Sequence, residues 1–368
     1  MKIGIDASRA NRSQKTGVEW YAWHVIQEFK KIIPPTVEVV LYSDTPLTGD
    51  LAILPANWKS KILVWPPKFL WTHFRLSVEL LLHKPNIYFI PAHVIPFLSR
   101  GKAVVAIHDV AYKVFPRAYT RKGRFYLNLT TWWQKMFVKK IITISEVSKN
   151  DIIKYYHVPQ NKIAVIPIAY DAKCYQLIND EQKTSAVLAK YGVTKPFIMS
   201  ISRLEYKKNT HGIINAFSQL PDRNSQLLLV GKPGRGYQYI QNALDSSPAK
   251  DHIILPGWIK EEDVPYLMNA ASAFVFPSFY EGFGIPILEA MACGCSVITS
   301  NTTACPEVAG NAAILVDPQN TEQITEAINK ILTDRTLAEE LKNRGLERVK
   351  NFSWSKTAEA TWKEIEKL

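Results

Sequence analysis

Glu281 and Glu289 stand eight residues apart in the string Pro277-Ser-Phe-Tyr-Glu281-Gly282-Phe283-Gly284-Ile285-Pro286-Ile-Leu-Glu289. Between them, Gly282 and Gly284 suit a tight turn and Pro286 suits the opening of a helix. The apolar run Ala273–Phe276 reads as a buried strand, and Val297–Thr299 reads as the next one. Strand, loop, helix, strand places Glu281 in the loop and Glu289 in the first helical turn. Such an order aims a carboxylate at a ligand above a sheet, while free amides at the helix start meet an anion. Either glutamate alone could be a solvated loop residue or a first-turn residue favoured by the helix dipole.

A second cluster, Ser202-Arg203-Leu-Glu-Tyr-Lys207-Lys208-Asn209, leaves the strand Phe197–Ser202. Arg203 can grip phosphate oxygens in a fork, and a lysine supplies a point charge. Cations here suit a diphosphate leaving group whose charge grows as its bond breaks. Lys208, which precedes Asn209, is the expected diphosphate lysine, with adjacent Lys207 as the alternative. His108-Asp109 ends the strand Ala103–Ile107, and His93 is a further candidate in the same half. Gly17 follows the loop after the first strand and opens a helix, where amides can approach a phosphate. Gly231-Lys-Pro-Gly234-Arg-Gly236 lacks a phosphate-loop spacing and reads as a turn.

The elements that position these residues alternate along the chain. Strands are expected at 2–6, 37–42, 87–90, 103–107, 141–144 and 163–166. The pattern restarts after residue 170 with strands at 197–202, 226–230, 253–255, 273–276 and 297–299, and helix-like spans lie between. This is an α/β chain with parallel sheets. At 368 residues it exceeds one ordinary core. No apolar run approaches a membrane span, and Met-Lys-Ile-Gly-Ile-Asp at the start reads as a strand rather than a signal peptide. Cys174, Cys293, Cys295 and Cys305 show neither zinc spacing nor a disulfide framework, which suits a reducing cytoplasm.

Charge is uneven. Residues 1–170 carry 24 Lys/Arg against 10 Asp/Glu, whereas the remainder carries 21 against 23. Between Asp109 and Glu146 there is no acidic residue, and basic residues alternate there with Phe125, Tyr126, Trp132, Trp133 and Phe137. Three environments fit: an anionic membrane surface, a solvated face over inward aromatics, or nucleic acid. The membrane surface is the reading adopted, and no nucleic-acid partner is expected.

The Glu281–Glu289 string resembles the E-x7-E segment of retaining glycosyltransferases of family 4 (GT4), and the Arg203/Lys208 cluster resembles their donor motif. The resemblance covers nearly the whole chain and is strongest from 197 to 317. It implies the GT-B fold: two Rossmann-like domains whose parallel sheets face across an interdomain cleft. The expected domains are 1–170 for acceptor, 171–352 for nucleotide sugar, and a helix, 353–368, returning to the N-terminal domain. By resemblance, Glu281 binds donor-sugar hydroxyls and Glu289 the ribose hydroxyls. Gly282, Phe283, Gly284 and Ile285 present amides to the phosphates, and Arg203 and Lys208 complete the clamp. His108 reaches the transferred sugar, Gly17 lies in the N-terminal glycine loop, and Trp258 and Ile259 flank the base, held mainly by main-chain atoms. Pro167-Ile-Ala-Tyr-Asp171 departs from the family, which usually carries Asn-Gly there.

No Asp-x-Asp occurs in the chain, and Glu261-Glu262-Asp263 is its nearest imitation. No metal and no cofactor are therefore expected; the donor is a co-substrate, GDP- or UDP-linked, with GDP-mannose as the first expectation. The acceptor would be a glycan or lipid-linked hydroxyl at the cytoplasmic membrane face. The rival readings are a GT-B epimerase or phosphorylase, or a non-catalytic sugar-nucleotide-binding or scaffold subunit.

Overall fold

The structure, a computed structural model, describes residues 1–65, 70–98, 101–221 and 224–368. The chain forms two compact units, Met1–Ile168 with Trp354–Leu368, and Ala169–Ser353.

In the first unit, seven strands among the described residues lie in the order β3-β2-β1-β4-β5-β6-β7. They are β1 (Lys2–Asp6), β2 (Glu38–Ser43), β3 (Trp58–Ile62), β4 (Ile87–Ile90), β5 (Lys102–Ala106), β6 (Val138–Thr143) and β7 (Ile163–Val165). All pairings are parallel; Ile3, for example, lies opposite Val39 on one side and Ile87 on the other. The apolar runs of the central strands are buried on both faces, as parallel sheets require. Strand β3 was not expected from the sequence. Its Trp-Lys-Ser-Lys-Ile string buries only Trp58, because it lies at the sheet edge.

The first helix, Gly17–Ile32, starts at Thr16, whose backbone N–H donates to Glu19 at 3.1 Å in a capping box. The final helix, Trp354–Glu366, packs on it: Trp354 stacks on His24 at 4.5 Å and Trp362 meets Phe29 edge-on. Thr357 Oγ1 donates to the Pro167 carbonyl at 2.8 Å, and Lys140 pairs with Glu364 at 2.9 Å.

In the second unit the order among the described residues is β10-β9-β8-β11-β12-β13, again all parallel. The strands are β8 (Phe197–Ile201), β9 (Gln226–Val230), β10 (Ile253–Gly257), β11 (Ala273–Phe276), β12 (Val297–Ser300) and β13 (Ala313–Val316). Strand β13, another edge strand, was also not expected. Helices such as Thr210–Ser218 and Thr321–Thr333 bury Ile213, Ile214, Ile324, Ile328 and Ile331 against the sheet. Strand order reverses between β8 and β11, the position where open α/β sheets leave a ligand crevice beyond their strand ends.

Candidate active site

The two loops that flank the reversal carry Arg203, Lys208 and Glu281. After β8 the chain runs through Ser202 and Arg203 to a turn, Tyr206–Lys208, which Asn209 closes in the left-handed region at φ 55°. The Asn209 side-chain amide anchors that turn by donating to the Pro318 carbonyl at 2.6 Å. After β11 the chain reaches Glu281, which is buried. Lys208 Nζ donates to Glu281 Oε1 at 2.6 Å, so the structure brings these two predicted residues together. Lys207 lies instead over the Tyr280 ring, at 6.0 Å. Arg203 is exposed, and its side chain has no ion-pair partner among the described residues.

The loop 231–236 is a turn that braces the cation loop. Leu204 N–H donates to the Lys232 carbonyl at 3.0 Å, Gly234 N–H to Leu204 at 2.8 Å, and Tyr206 N–H to Arg235 at 3.0 Å. The two backbones run so close that a Cβ on Gly231 would sit 1.7 Å from the Ser202 carbonyl oxygen, so only glycine fits.

Gly284, at φ 105°, turns the chain into the helix Ile285–Ala292, with Pro286 in its first turn. Because the helix begins only at Ile285, Glu289 falls in its second turn, not the first. It is therefore not a dipole-favoured N-terminal carboxylate. Burial, together with the Asp171 and Glu261 carboxylates, pushes its pKa up to about 8, while a hydrogen bond with Tyr175 opposes the rise. The two glutamates of the string thus sit in opposite fields, Glu281 against a cation and Glu289 among carboxylates. Phe283 is buried edge-on against Phe352, and Ile259 is buried, so these two can offer a ligand only main-chain atoms. Trp258 is 59% exposed, with Lys232 Nζ 5.6 Å from its ring. Asp263, in the acidic trio, is occupied structurally: it accepts from Lys190 at 2.6 Å and from Tyr191 at 2.7 Å.

In the first unit, His108 follows β5 and His93 follows β4. Each has a buried Nε2 without a hydrogen-bond partner among the described residues. Burial, with His93 nearby, lowers the His108 pKa to about 4, so its imidazole is neutral near pH 7. The Tyr21 ring meets it edge-on at 4.6 Å. Gly17 is the first residue of its helix, and none of the described residues lies within 4 Å of where a Cβ would project.

Sequence reasoning missed Thr303, whose hydroxyl accepts from the Glu281 N–H at 3.2 Å, and Tyr175, which supports Glu289. Thr303 sits at φ 57°, and no local sequence pattern announces that conformation for a threonine.

The family model for Glycosyltransferase Family 4 matches residues 16–173, and that for Glycosyl transferases group 1 matches residues 181–348. The chain is 31% identical to the O-antigen chain mannosyltransferase B of Escherichia coli over 79% of this chain and 75% of that protein. It is 29% identical to the serotype-specific mannosyltransferase WbdA of Escherichia coli over 73% of this chain, but only 33% of that longer protein. Among solved structures it resembles Anabaena HepE in complex with UDP-glucose, with a TM-score of 0.78, 17% identity and full coverage of both chains. Two parallel α/β sheets of this order, strand-end cations beside a buried glutamate, and these matches lead to one assignment: the chain belongs to the family 4 glycosyltransferases of GT-B fold.

Proposed function

We propose that this glycosyltransferase transfers mannose from GDP-mannose to a hydroxyl of a growing polysaccharide or lipid-linked glycan, with retention of anomeric configuration. The donor reading is supported by the mannosyltransferase relatives, one of which acts on O-antigen chains by its name. The observation that carries the mechanism is the Lys208–Glu281 pair beside the exposed Arg203. Arg203 and Lys208 hold the diphosphate, Glu281 accepts from hydroxyls of the transferred hexose, and Glu289 accepts from the ribose hydroxyls. The amides of Gly282, Phe283, Gly284 and Ile285 donate to phosphate oxygens. The base lies at Trp258 and Ile259.

In the proposed step the bond from the anomeric carbon to the phosphate oxygen breaks. The acceptor oxygen bonds to the same face of that carbon, and its proton passes to the departing phosphate. Charge developing on that phosphate is met by cations already in place, which is where such groups lower the barrier most. The chain has no Asp-x-Asp, and its metal-independent reading rests on this cation pair. The acceptor is presented at the cytoplasmic face of a membrane, a placement supported by the basic first half.

The test is a thermal-shift and turnover panel of GDP-mannose, UDP-glucose and UDP-N-acetylglucosamine. The true donor at 100 times its dissociation constant stabilises the protein by about 2.7 kcal/mol. A shift with a UDP-sugar and none with GDP-mannose removes the mannosyl reading. Activity lost in EDTA and restored by Mg²⁺ or Mn²⁺ removes the metal-independent one.

A further inference from the structure

The helix Arg121–Phe137 keeps an apolar stripe on its outer face. Its buried side chains are Thr130, Thr131 and Gln134. Its exposed ones include Phe125, at 71%, Leu129, Trp132, at 47%, Met136 and Phe137. Phe125, Leu129, Trp132 and Met136 follow the 4-3-4 spacing of one helical face. The inward face packs partly buried Leu127 and Trp133 against the core and adds polar contacts. Thr131 and Tyr112 hydroxyls lie 2.7 Å apart, Tyr156 OH donates to Asn128 at 3.0 Å, and Gln134 donates to the His93 carbonyl.

The neighbouring helix Trp71–Leu82 buries Trp71, Leu76 and Leu80 in the core and still keeps a second apolar row outside. Phe74, Val78 and Leu82, one turn apart, are exposed, while His73, Ser77 and Glu79 are buried. Buried Glu79 is met by Lys61 at 2.6 Å and Arg75 at 3.8 Å. The helices are joined through Tyr126 OH and His73 Nε2, at 2.9 Å, and through Phe97, which stacks on His73 at 4.1 Å and meets Phe74 and Trp133. Thirteen of the large apolar side chains exposed among the described residues lie in this unit and five in the other, so the exposure is a property of this unit rather than of the chain.

Water penalises such a face, because each large apolar side chain left exposed forgoes its burial free energy. We propose that these two helices form a docking face that inserts shallowly into the surface of an anionic lipid bilayer. The proposal rests on the membrane-face reading above and names the surface responsible. Charge selects lipid over a second copy of this chain: exposed Arg121, Lys122 and Lys139 border the apolar stripe, and residues 110–145 contain no acid. A second copy would bring the same positive face against it, whereas anionic headgroups complement it. No helix among the described residues is long and apolar enough to cross a membrane, which fits helices that lie in the interface.

The experiment is co-sedimentation of the full chain with phosphatidylcholine vesicles, with and without phosphatidylglycerol, at low and high salt. Wild type binds the anionic vesicles and keeps part of that binding at high salt, because the apolar share is not screened. Phe125→Ser with Trp132→Ser loses roughly ten-fold or more in affinity, including the salt-resistant part. Arg121→Ser with Lys122→Ser loses roughly ten-fold at low salt and keeps the salt-resistant part. Phe74→Ser with Val78→Ser repeats the first loss from the other helix, so the test does not depend on one variant folding. Unchanged affinity in both apolar pairs overturns the proposal. So does a wild-type dimer in solution that the apolar pairs dissociate, which would make a second copy the occupant. Turnover of a water-soluble acceptor separates the two readings. If it persists while vesicle binding is absent, the docking face alone is wrong. If it fails while vesicle binding holds, the transferase reading of the site is wrong.

Discussion

The helices Thr321–Thr333 and Arg121–Phe137 both carry a strong apolar stripe, and they turn it in opposite directions. The first buries Ile324, Ala327, Ile328 and Ile331 against its sheet; the second buries Thr130, Thr131 and Gln134 and leaves Phe125, Leu129, Trp132 and Met136 outside. An apolar stripe therefore marks an interface without saying whether its partner is the protein's own core. In that second-unit helix the hydrophobic effect works within the chain. In the first-unit helix, part of it is left for something outside.

The largest expected effect tests that contrast directly. Ile328→Ser removes a fully buried side chain and leaves a hydroxyl in the core, which costs about 3–5 kcal/mol. Trp132→Ser removes a larger but exposed side chain and shifts stability in water by no more than about 0.5 kcal/mol. Urea unfolding of both variants decides. Comparable losses would mean that Trp132 packs as core, and the contrast between the helices would disappear.

Legibility followed the same division. The central strands and the loops after β8 and β11 were readable, because buried parallel strands are continuous apolar runs and Gly-Pro punctuation marks the turn into Ile285–Ala292. Edge strands β3 and β13 were not, because β3 alternates lysine and serine on an exposed edge and β13 is short. The positions of Glu281 and Lys208 were legible, but their contact was not, since it depends on two loops separated by 73 residues in sequence. Glu289 was misplaced by one turn because the start of a helix after a left-handed glycine is a matter of backbone geometry. In 110–145 the composition showed basic and aromatic residues together. Only the structure shows which way Trp132 and Phe125 face.

A second contrast lies between adjacent lysines. Lys208→Ala removes the partner of a buried carboxylate and one of the two proposed phosphate cations. Turnover falls by about 2–4 kcal/mol of transition-state stabilisation, roughly 30- to 1,000-fold. Lys207→Ala, at a side chain that faces the Tyr280 ring, changes kcat by less than about ten-fold. Glu281→Gln combined with Lys208→Ala falls short of the summed single effects, because the two serve one pair. Should Lys207→Ala be the damaging change, the diphosphate clamp is assigned one residue too late.

The smallest effect separates the two glutamates. Glu281 faces a lysine, whereas Glu289 lies among carboxylates, with its pKa raised from 4.5 to about 8. Between those values the folded state holds a proton that the unfolded chain has released, so stability falls as pH rises through this window. Below pH 4.5 both states are protonated and the contribution is fully present. Glu289→Gln removes the titration and flattens that share of the slope. The variant should match wild type near pH 4.5 and exceed it by about 1–2 kcal/mol at pH 8.5, less than the full linkage because the side chain keeps some contact with solvent. Melting temperatures across this range, with and without GDP, are the measurement. Nucleotide hydroxyls donating to the carboxylate favour its ionised form, so saturating GDP should flatten the wild-type slope and leave the variant's unchanged. If wild type and variant fall in parallel, Glu289 ionises normally and its carboxylate neighbours do not govern it. If the slopes differ but GDP leaves the wild-type slope untouched, Glu289 titrates as described and the ribose assignment fails.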